Sequence, residues 1–250
     1  MTVPVVSGNW PAEAARVASG IRRRVLDIAI CQNGGYLGQA CSSAEILSTL
    51  HCHTLNPAGG DVFVLSPAHY ALALFACMVE VGTLPETALA TYNQDGSALE
   101  MIGGTGAPGM MFTTGSLAQG ISQAIGLALA KRHRREPGRV VVYVSDGELQ
   151  EGQTWEALMT LAHYRLTSVF LVFDLNDSQV DGAPMGVMGL EPIAAKLAAF
   201  GLDPIEIDGH DCAALDRAMS QPIHDRPRAV LCRTRIWQGI PSPLTRARLG

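Results

Sequence analysis

The stretch that most constrains this chain is Val140–Glu156, VVVYVSDGELQEGQTWE. An apolar run dominated by valine passes without a polar break into Ser145, an Asp146-Gly147 pair and further carboxylates, after which an amphipathic pattern begins. Such a run predicts a fully buried strand, and the change of period after it predicts a helix. In open α/β sheets ligands bind outside the carboxyl ends of the strands. Asp146, at the end of this strand, is therefore the first candidate for chemistry.

The rest of the chain repeats the alternation. Ser168–Phe173 (SVFLVF) reads as another buried strand, ending in Asp174-Leu175-Asn176-Asp177, and short strands are expected at Val62–Leu65, Pro204–Ile207 and Ala229–Thr234. Apolar spacing predicts helices over Pro11–Ile30 and Tyr70–Val81, near Glu191–Phe200 and near Cys212–Met219. Three more are expected. One is capped by Ser42 or Ser43 and carries Glu45 in its first turn; one follows Gly115-Ser116 with Leu117, Ile121, Ile125 and Leu129 on one face; one buries Trp155, Leu158, Met159 and Ala162. Residues 83–111 hold five glycines and little periodicity, and read as a long loop with a short helix near Pro85–Tyr92; long ordered loops are usually functional. Strands separated by helices imply right-handed crossovers. The expected fold class is α/β, a mostly parallel sheet with helices on both faces, as a single domain over residues 1–250.

Composition narrows the function classes. The sequence is 48% hydrophobic and 16% charged with a net charge of -5, which suits a soluble globular protein and argues against nucleic acid as the main partner. The basic runs Arg22-Arg23-Arg24 and Lys131–Arg135 are short and read as solvated helix faces or helix C-termini. The six cysteines show no CxxC spacing, so reduced core thiols in a cytoplasmic protein are expected. His51-Cys52-His53 are successive residues at a helix end, whose side chains diverge rather than converge on a metal. No apolar run reaches membrane-spanning length, and Met1–Trp10 lacks a signal-peptide pattern.

Two strands thus end in oxygen donors, Asp146 and Asn176, about thirty positions apart. A hard cation such as Mg²⁺ takes about six oxygens, from carboxylates, carbonyls, water and ligand phosphates. The Ser178 carbonyl adds a third donor, and Gly147 lets the chain approach a diphosphate closely. Taken singly, Asp-Gly and Asn-Asp are also ordinary turn dipeptides. Likewise the Thr113-Thr114-Gly115-Ser116 helix start either offers N–H groups to a phosphate or is a plain N-cap.

Together the segments are more specific. An Asp-Gly pair followed by a strand-terminal asparagine resembles the thiamine diphosphate signature. SDGELQEGQTWEA, DLNDSQVDG, TTGSLAQGISQAIGLALA, SSAEILSTL, FVLSPAHYALALFA and IDGHD each resemble, in sequence, segments of the N-terminal diphosphate-binding domain of transketolases, from about Ala18 to Gly239. The resemblance implies a thiamine diphosphate enzyme that passes a two-carbon ketol unit from a ketose donor to an aldehyde, with the cofactor carrying the hard chemistry. It assigns Asp146, Asn176 and the Ser178 carbonyl to Mg²⁺, and Gly147 and Glu148 to the diphosphate-side turn. It sets Gly115, Ser116 and Leu117, with Ser66 and His69, beside the cofactor. His69 and His210 would line the channel and act in proton transfer, and Glu151 and Glu156 would link paired active sites across a subunit interface.

Departures from the family pattern bear on the substrate. Gly35-Tyr36 stands where the family has a glycine-histidine pair, Ser66-Pro67-Ala68-His69 where it has Ser-Lys-Gly-His, Met101–Thr105 where Gly-His-Pro is expected, and Ser145 where the metal motif has glycine. Cofactor binding is expected to persist while substrate handling changes, which points to a specialised biosynthetic pathway. The pyrimidine-binding and C-terminal domains of the family are expected on a separate chain, in an α₂β₂ assembly with no nucleic acid or membrane partner. The alternatives at this level are a thiamine diphosphate-dependent 2-oxo acid decarboxylase or acyl-transfer subunit, and a non-catalytic regulatory partner.

Overall fold

The computed structural model describes residues 9–32 and 34–240. The N-terminal segment read above for a signal peptide lies, up to residue 8, outside them. The elements are α1 (Trp10–Gln32), α2 (Leu37–Thr49), β1 (Val62–Leu65), α3 (Ala71–Glu80), α4 (Gln119–Arg134), β2 (Val140–Ser145), α5 (Gly152–His163), β3 (Val169–Leu175), α6 (Pro184–Val187), α7 (Ile193–Ala199), β4 (Asp203–Asp208), α8 (Cys212–Ser220) and β5 (Arg228–Arg233). The strands form one sheet in the order β1-β2-β3-β5-β4, every pairing parallel, as the alternation predicts.

Both sheet faces are covered, which is why the central strands show no polar alternation. Val141, Tyr143, Phe170, Val172, Val230 and Cys232 point into a core with α1, α2, α3 and α8. Val140, Val142, Val144, Leu171, Phe173 and Leu231 point the other way, onto α4, α5 and α7. Every residue of β2 and β3 is buried. Each fully buried valine or leucine contributes about 1.5–3 kcal/mol, so the two strands fix the register between them. That register pairs Ser145 with Asp174 and brings the residues that follow, Asp146 and Asn176, to one edge of the sheet.

The structure departs from the sequence expectations in several places. α2 begins at Leu37, so Ser42 and Ser43 are buried inside it and cap nothing. Arg22 and Arg24 are not solvated. Arg22 pairs with Glu45 at 2.7 Å, and Arg24 with Glu80 at 2.6 Å and Glu86 at 2.9 Å, because α1 packs against α2 and α3, which carry Glu45 and Glu80, and Glu86 opens the 3₁₀ turn beyond α3. Met159 is 61% exposed, and Thr154, Ala157, Leu158 and Leu161 form the buried face of α5. α4 starts at Gln119 rather than at Gly115-Ser116, because Ala118 turns the chain with a left-handed φ of 67°.

Other expectations hold. Cys41, Cys52, Cys77 and Cys232 are buried free thiols. His51 packs edge-on against Phe63 and His53 stacks on Trp10, so the two rings diverge. Among the described residues, no helix is long and apolar enough to cross a membrane.

Candidate active site

Asp146 is 5% exposed, and its carboxylate is held on both sides by backbone: Oδ1 accepts the Gly147 N–H at 2.8 Å and Oδ2 that of Asn176 at 3.2 Å. Burial, reinforced by the nearby Asp174 carboxylate, outweighs these bonds and raises Asp146 from the usual carboxylate range to about 7. Asn176, 4% exposed, accepts the Ser178 N–H on Oδ1 at 3.1 Å. Asp146, Asn176 and Ser178 are thereby gathered into one hydrogen-bonded turn at the ends of β2 and β3. Gly147 borders the adjoining cleft, and a Cβ on it would meet nothing within 4 Å. A side chain there would project into space a ligand can use.

Glu148 takes a different place from the one the sequence suggests. Its side chain is fully buried and turned inward, where Oε1 accepts the Ser66 hydroxyl and the Ala118 N–H at 2.9 Å, and Oε2 accepts the Ser145 N–H at 2.9 Å. Burial pushes its pKa up against the pull of those donors. A non-glycine residue in the left-handed region costs roughly 1–2 kcal/mol, and Glu148 offsets this at Ala118 while placing negative charge at the N-terminus of α4. The anion at that helix start is therefore the protein's own. Ser66 is likewise spent on Glu148, and Gly120 packs so tightly that a Cβ on it would lie 2.6 Å from Ser66 Cα.

The cleft itself encloses about 430 Å³ and is bordered by Tyr36, His69, Gly115, Leu117, Asp146 and Glu151, together with Ser178 and Asp181. Ser116 is exposed outside it. The His69 ring lies between Tyr36, at 5.3 Å, and Tyr70, at 4.9 Å, and burial lowers its pKa to about 4. The cleft lining carries Asp146, Glu151 and Asp181 but neither lysine nor arginine. Among the described residues the lining therefore offers a diphosphate no cationic side chain; a divalent cation, were one held at Asp146, would supply that charge. Among the described residues, no group of three or more His, Cys, Asp or Glu side chains converges on a metal position. The oxygen donors that could hold a cation beside Asp146 are the Asn176 amide and the Ser178 carbonyl, and the remainder of its shell would have to come from ligand or water oxygens.

His210 is not part of the cleft lining. Its Nδ1 lies 2.9 Å from Glu45 and its Nε2 accepts the Arg235 N–H at 3.0 Å, so the neutral ring carries its proton on Nδ1 and donates it to Glu45. Burial raises Glu45, but hydrogen bonds from His210 and Arg22 outweigh it and leave the carboxylate below its ordinary pKa. Glu151 sits on the rim of the cleft, whereas Glu156 is exposed on α5 and absent from the lining. Glu151 precedes α5 in extended backbone, so the two carboxylates do not share a helix face.

Sequence reasoning missed the centre of the buried network. Asp174 has no exposure, and its Oδ2 accepts the hydroxyls of Ser42 at 2.6 Å, Tyr143 at 2.8 Å and Tyr70 at 3.0 Å, while Oδ1 accepts that of Thr234. The signal was present: one carboxylate inside an apolar strand, and a tyrosine inside the valine run beside it.

Comparison with known proteins agrees with this geometry. Residues 13–248 match the family described as transketolase, thiamine diphosphate binding domain. The chain is 39% identical to the transketolase family protein y4mO of Sinorhizobium fredii over 235 residues, covering 90% of this chain and 84% of that one. It is 31% identical to one of the subunits of the apulose-4-phosphate transketolase of Actinobacillus succinogenes, covering 91% of this chain and 86% of the relative. A transketolase structure from Pichia stipitis superposes with a TM-score of 0.82 at 25% identity, covering 89% of this chain and 36% of the other. A parallel sheet presenting Asp146 and Asn176 side by side, together with a match across nearly the whole sequence, places this chain in the transketolase family, in its thiamine diphosphate-binding domain.

Proposed function

We propose that this chain is the diphosphate-binding subunit of a split transketolase-like enzyme that moves a two-carbon ketol unit from a ketose or ketose phosphate to an aldehyde or other acceptor in a specialised biosynthetic pathway. The observation that carries the reading is that Asn176 joins Asp146 and Ser178, two residues of a cleft lining that holds no cationic side chain among the described residues. In this reading Mg²⁺ is held by Asp146, Asn176 and the Ser178 carbonyl, and the backbone at Gly147 gives the diphosphate room. Thiamine diphosphate, when bound, supplies the carbon nucleophile that takes up the ketol unit. Gly115 and Leu117 wall the cofactor side. His69, uncharged above about pH 4, exchanges hydrogen bonds or a proton with a substrate hydroxyl without introducing charge.

A complementary subunit completes the site. Support comes from the apulose-4-phosphate transketolase relative, which is itself named as one subunit of its enzyme and is covered over 86% of its length by this chain. The complementary subunit would bring the aminopyrimidine pocket and the glutamate that protonates it, in an α₂β₂ assembly. Glu151 at the cleft rim and Glu156 on the exposed side of α5 then face the interface. Free thiols at all six cysteines accord with a cytoplasmic location.

The test is transfer of an isotopically labelled two-carbon unit from a ketose phosphate to an aldehyde by the chain with its complementary subunit. Labelled ketose product dependent on Mg²⁺ and thiamine diphosphate supports the reading. Carbon dioxide released from a 2-oxo acid in its place, or no turnover of either substrate, overturns it.

A further inference from the structure

An asparagine that donates an oxygen to a cation has to present Oδ1 and turn Nδ2 away, and nothing in the side chain itself chooses between the two orientations. In this fold the Ser178 N–H favours one orientation from the front by donating to Oδ1 at 3.1 Å, and two buried groups fix the amide from behind. Asn176 Nδ2 donates to the Tyr70 hydroxyl oxygen at 3.0 Å and lies 3.3 Å from Asp174 Oδ2. Tyr70 spends its own proton on Asp174 Oδ2 at 3.0 Å, so its oxygen is free to accept and has no proton for an amide oxygen. A flipped Asn176 would set its carbonyl oxygen against a lone pair of Tyr70 and the carboxylate of Asp174, and its Nδ2 against the Ser178 N–H. Tyr70, Asp174 and Asn176 are all nearly or fully buried, so water cannot rescue the flipped form.

We infer that Tyr70 and Asp174 are positioning residues for the metal site: Asp174 orients the Tyr70 hydroxyl, and the two together lock the Asn176 amide with Oδ1 toward the cation. The inference rests on Asn176 being a metal ligand, as in the proposed function. Tyr143 provides a matched comparison within the same molecule. Its hydroxyl also donates to Asp174 Oδ2, at 2.8 Å, and its ring is as deeply buried as that of Tyr70, but Asn176 bonds the Tyr70 hydroxyl.

The experiment measures, for the chain with its complementary subunit, the Mg²⁺ concentration that gives half-maximal thiamine diphosphate binding by calorimetry, with melting temperatures in chelator beside it. Groups that orient a metal ligand typically change metal affinity by about 10–100-fold when removed. Tyr70→Phe is therefore expected to raise the Mg²⁺ requirement about tenfold or more. Tyr143→Phe is expected to lower the melting temperature to a similar degree while leaving that requirement near the wild-type value. Equal shifts in the two variants would reveal general loosening and overturn the inference, as would a Tyr70→Phe protein with an unchanged requirement. If the wild-type protein shows no Mg²⁺-dependent binding at all, the metal-site reading itself falls and this inference with it, an outcome distinct from the other two.

Discussion

The carboxylate of Asp146 accepts the backbone N–H of Asn176 at 3.2 Å, across 30 residues of sequence, because β2 and β3 end in register. The same burial that fixes this contact makes the ionised carboxylate costly in the metal-free protein. Asp146 is raised from 3.8 to about 7, so below the lower value both folded and unfolded states are protonated and nothing is lost. As pH rises toward 7 the unfolded chain ionises first, and stability falls by about 1.4 kcal/mol per unit until the folded group ionises as well. Asp146→Asn is thus expected to melt at a higher temperature than wild type at pH 8 in chelator, and to lose that advantage near pH 4, as followed by thermal unfolding at each pH.

The packing of Gly120 against Ser66 sets a second expectation. Gly120→Ala places a methyl group 2.6 Å from Ser66 Cα, a backbone atom that cannot swing away. Relief requires α4 to move off the end of β1, which disturbs the bond between Ser66 and Glu148. Overpacking of this kind costs about 1–3 kcal/mol. Denaturant unfolding is expected to show that loss, and calorimetry a weaker thiamine diphosphate affinity; unchanged stability would mean that α4 has slack the contacts do not show.

His210 is expected to act through stability. Its two ring nitrogens are bonded to Glu45 and to the Arg235 backbone, and Arg22 grips both oxygens of the same glutamate. Breaking a buried charged network by removing one member costs about 3–5 kcal/mol at the upper end. Glu45→Ala, which strands Arg22, is predicted to destabilise more than His210→Ala, and His210→Ala is predicted to leave cofactor affinity within about twofold, well under 1 kcal/mol. Melting temperatures and calorimetric titration separate this from a channel role, in which cofactor or substrate binding would suffer first.

His51 makes acid stability testable. Burial of the ring lowers its pKa from 6.5 to about 4, and its Nε2 has no hydrogen-bond partner among the described residues. Above pH 6.5 the ring is neutral in both states and contributes no pH dependence. As pH falls from there the unfolded chain takes up the proton first, so stability drops by about 1.4 kcal/mol per unit, and the loss levels off below about 4. His51→Leu keeps an apolar group against Phe63, and urea unfolding between pH 7 and 4.5 is expected to show a shallower decline than wild type. A parallel decline in both proteins would assign the acid sensitivity elsewhere.

The sheet was legible because β2 and β3 are buried on both faces, and an unbroken apolar run has few other places to go. Asp146 and Asn176 were legible for the same reason: each stands within two or three residues of the end of such a run. The exact start of α4 was not, because Ala118 adopts its left-handed turn only when Glu148, 30 residues away in sequence, accepts its N–H. Glu148 looked like part of a cofactor turn for want of that partner. Asp174, Tyr70 and Tyr143 were hidden differently. Their hydroxyl and carboxylate groups satisfy one another in the interior, and a sequence displays the polar residue without displaying who meets it. Arg22 and Arg24 looked solvated for a related reason, since Glu45 and Glu80 lie on other helices, whereas Arg23 between them is exposed as its sequence suggests.

The central claim is that Asp146 anchors a cation which holds thiamine diphosphate to this chain. Calorimetric titration of thiamine diphosphate into the chain with its complementary subunit, in Mg²⁺ and in chelator, tests it most directly. Saturable binding that requires Mg²⁺ in the wild-type protein and disappears in Asp146→Ala is the predicted result; binding that is absent from wild type, or that survives the substitution undiminished, would contradict it.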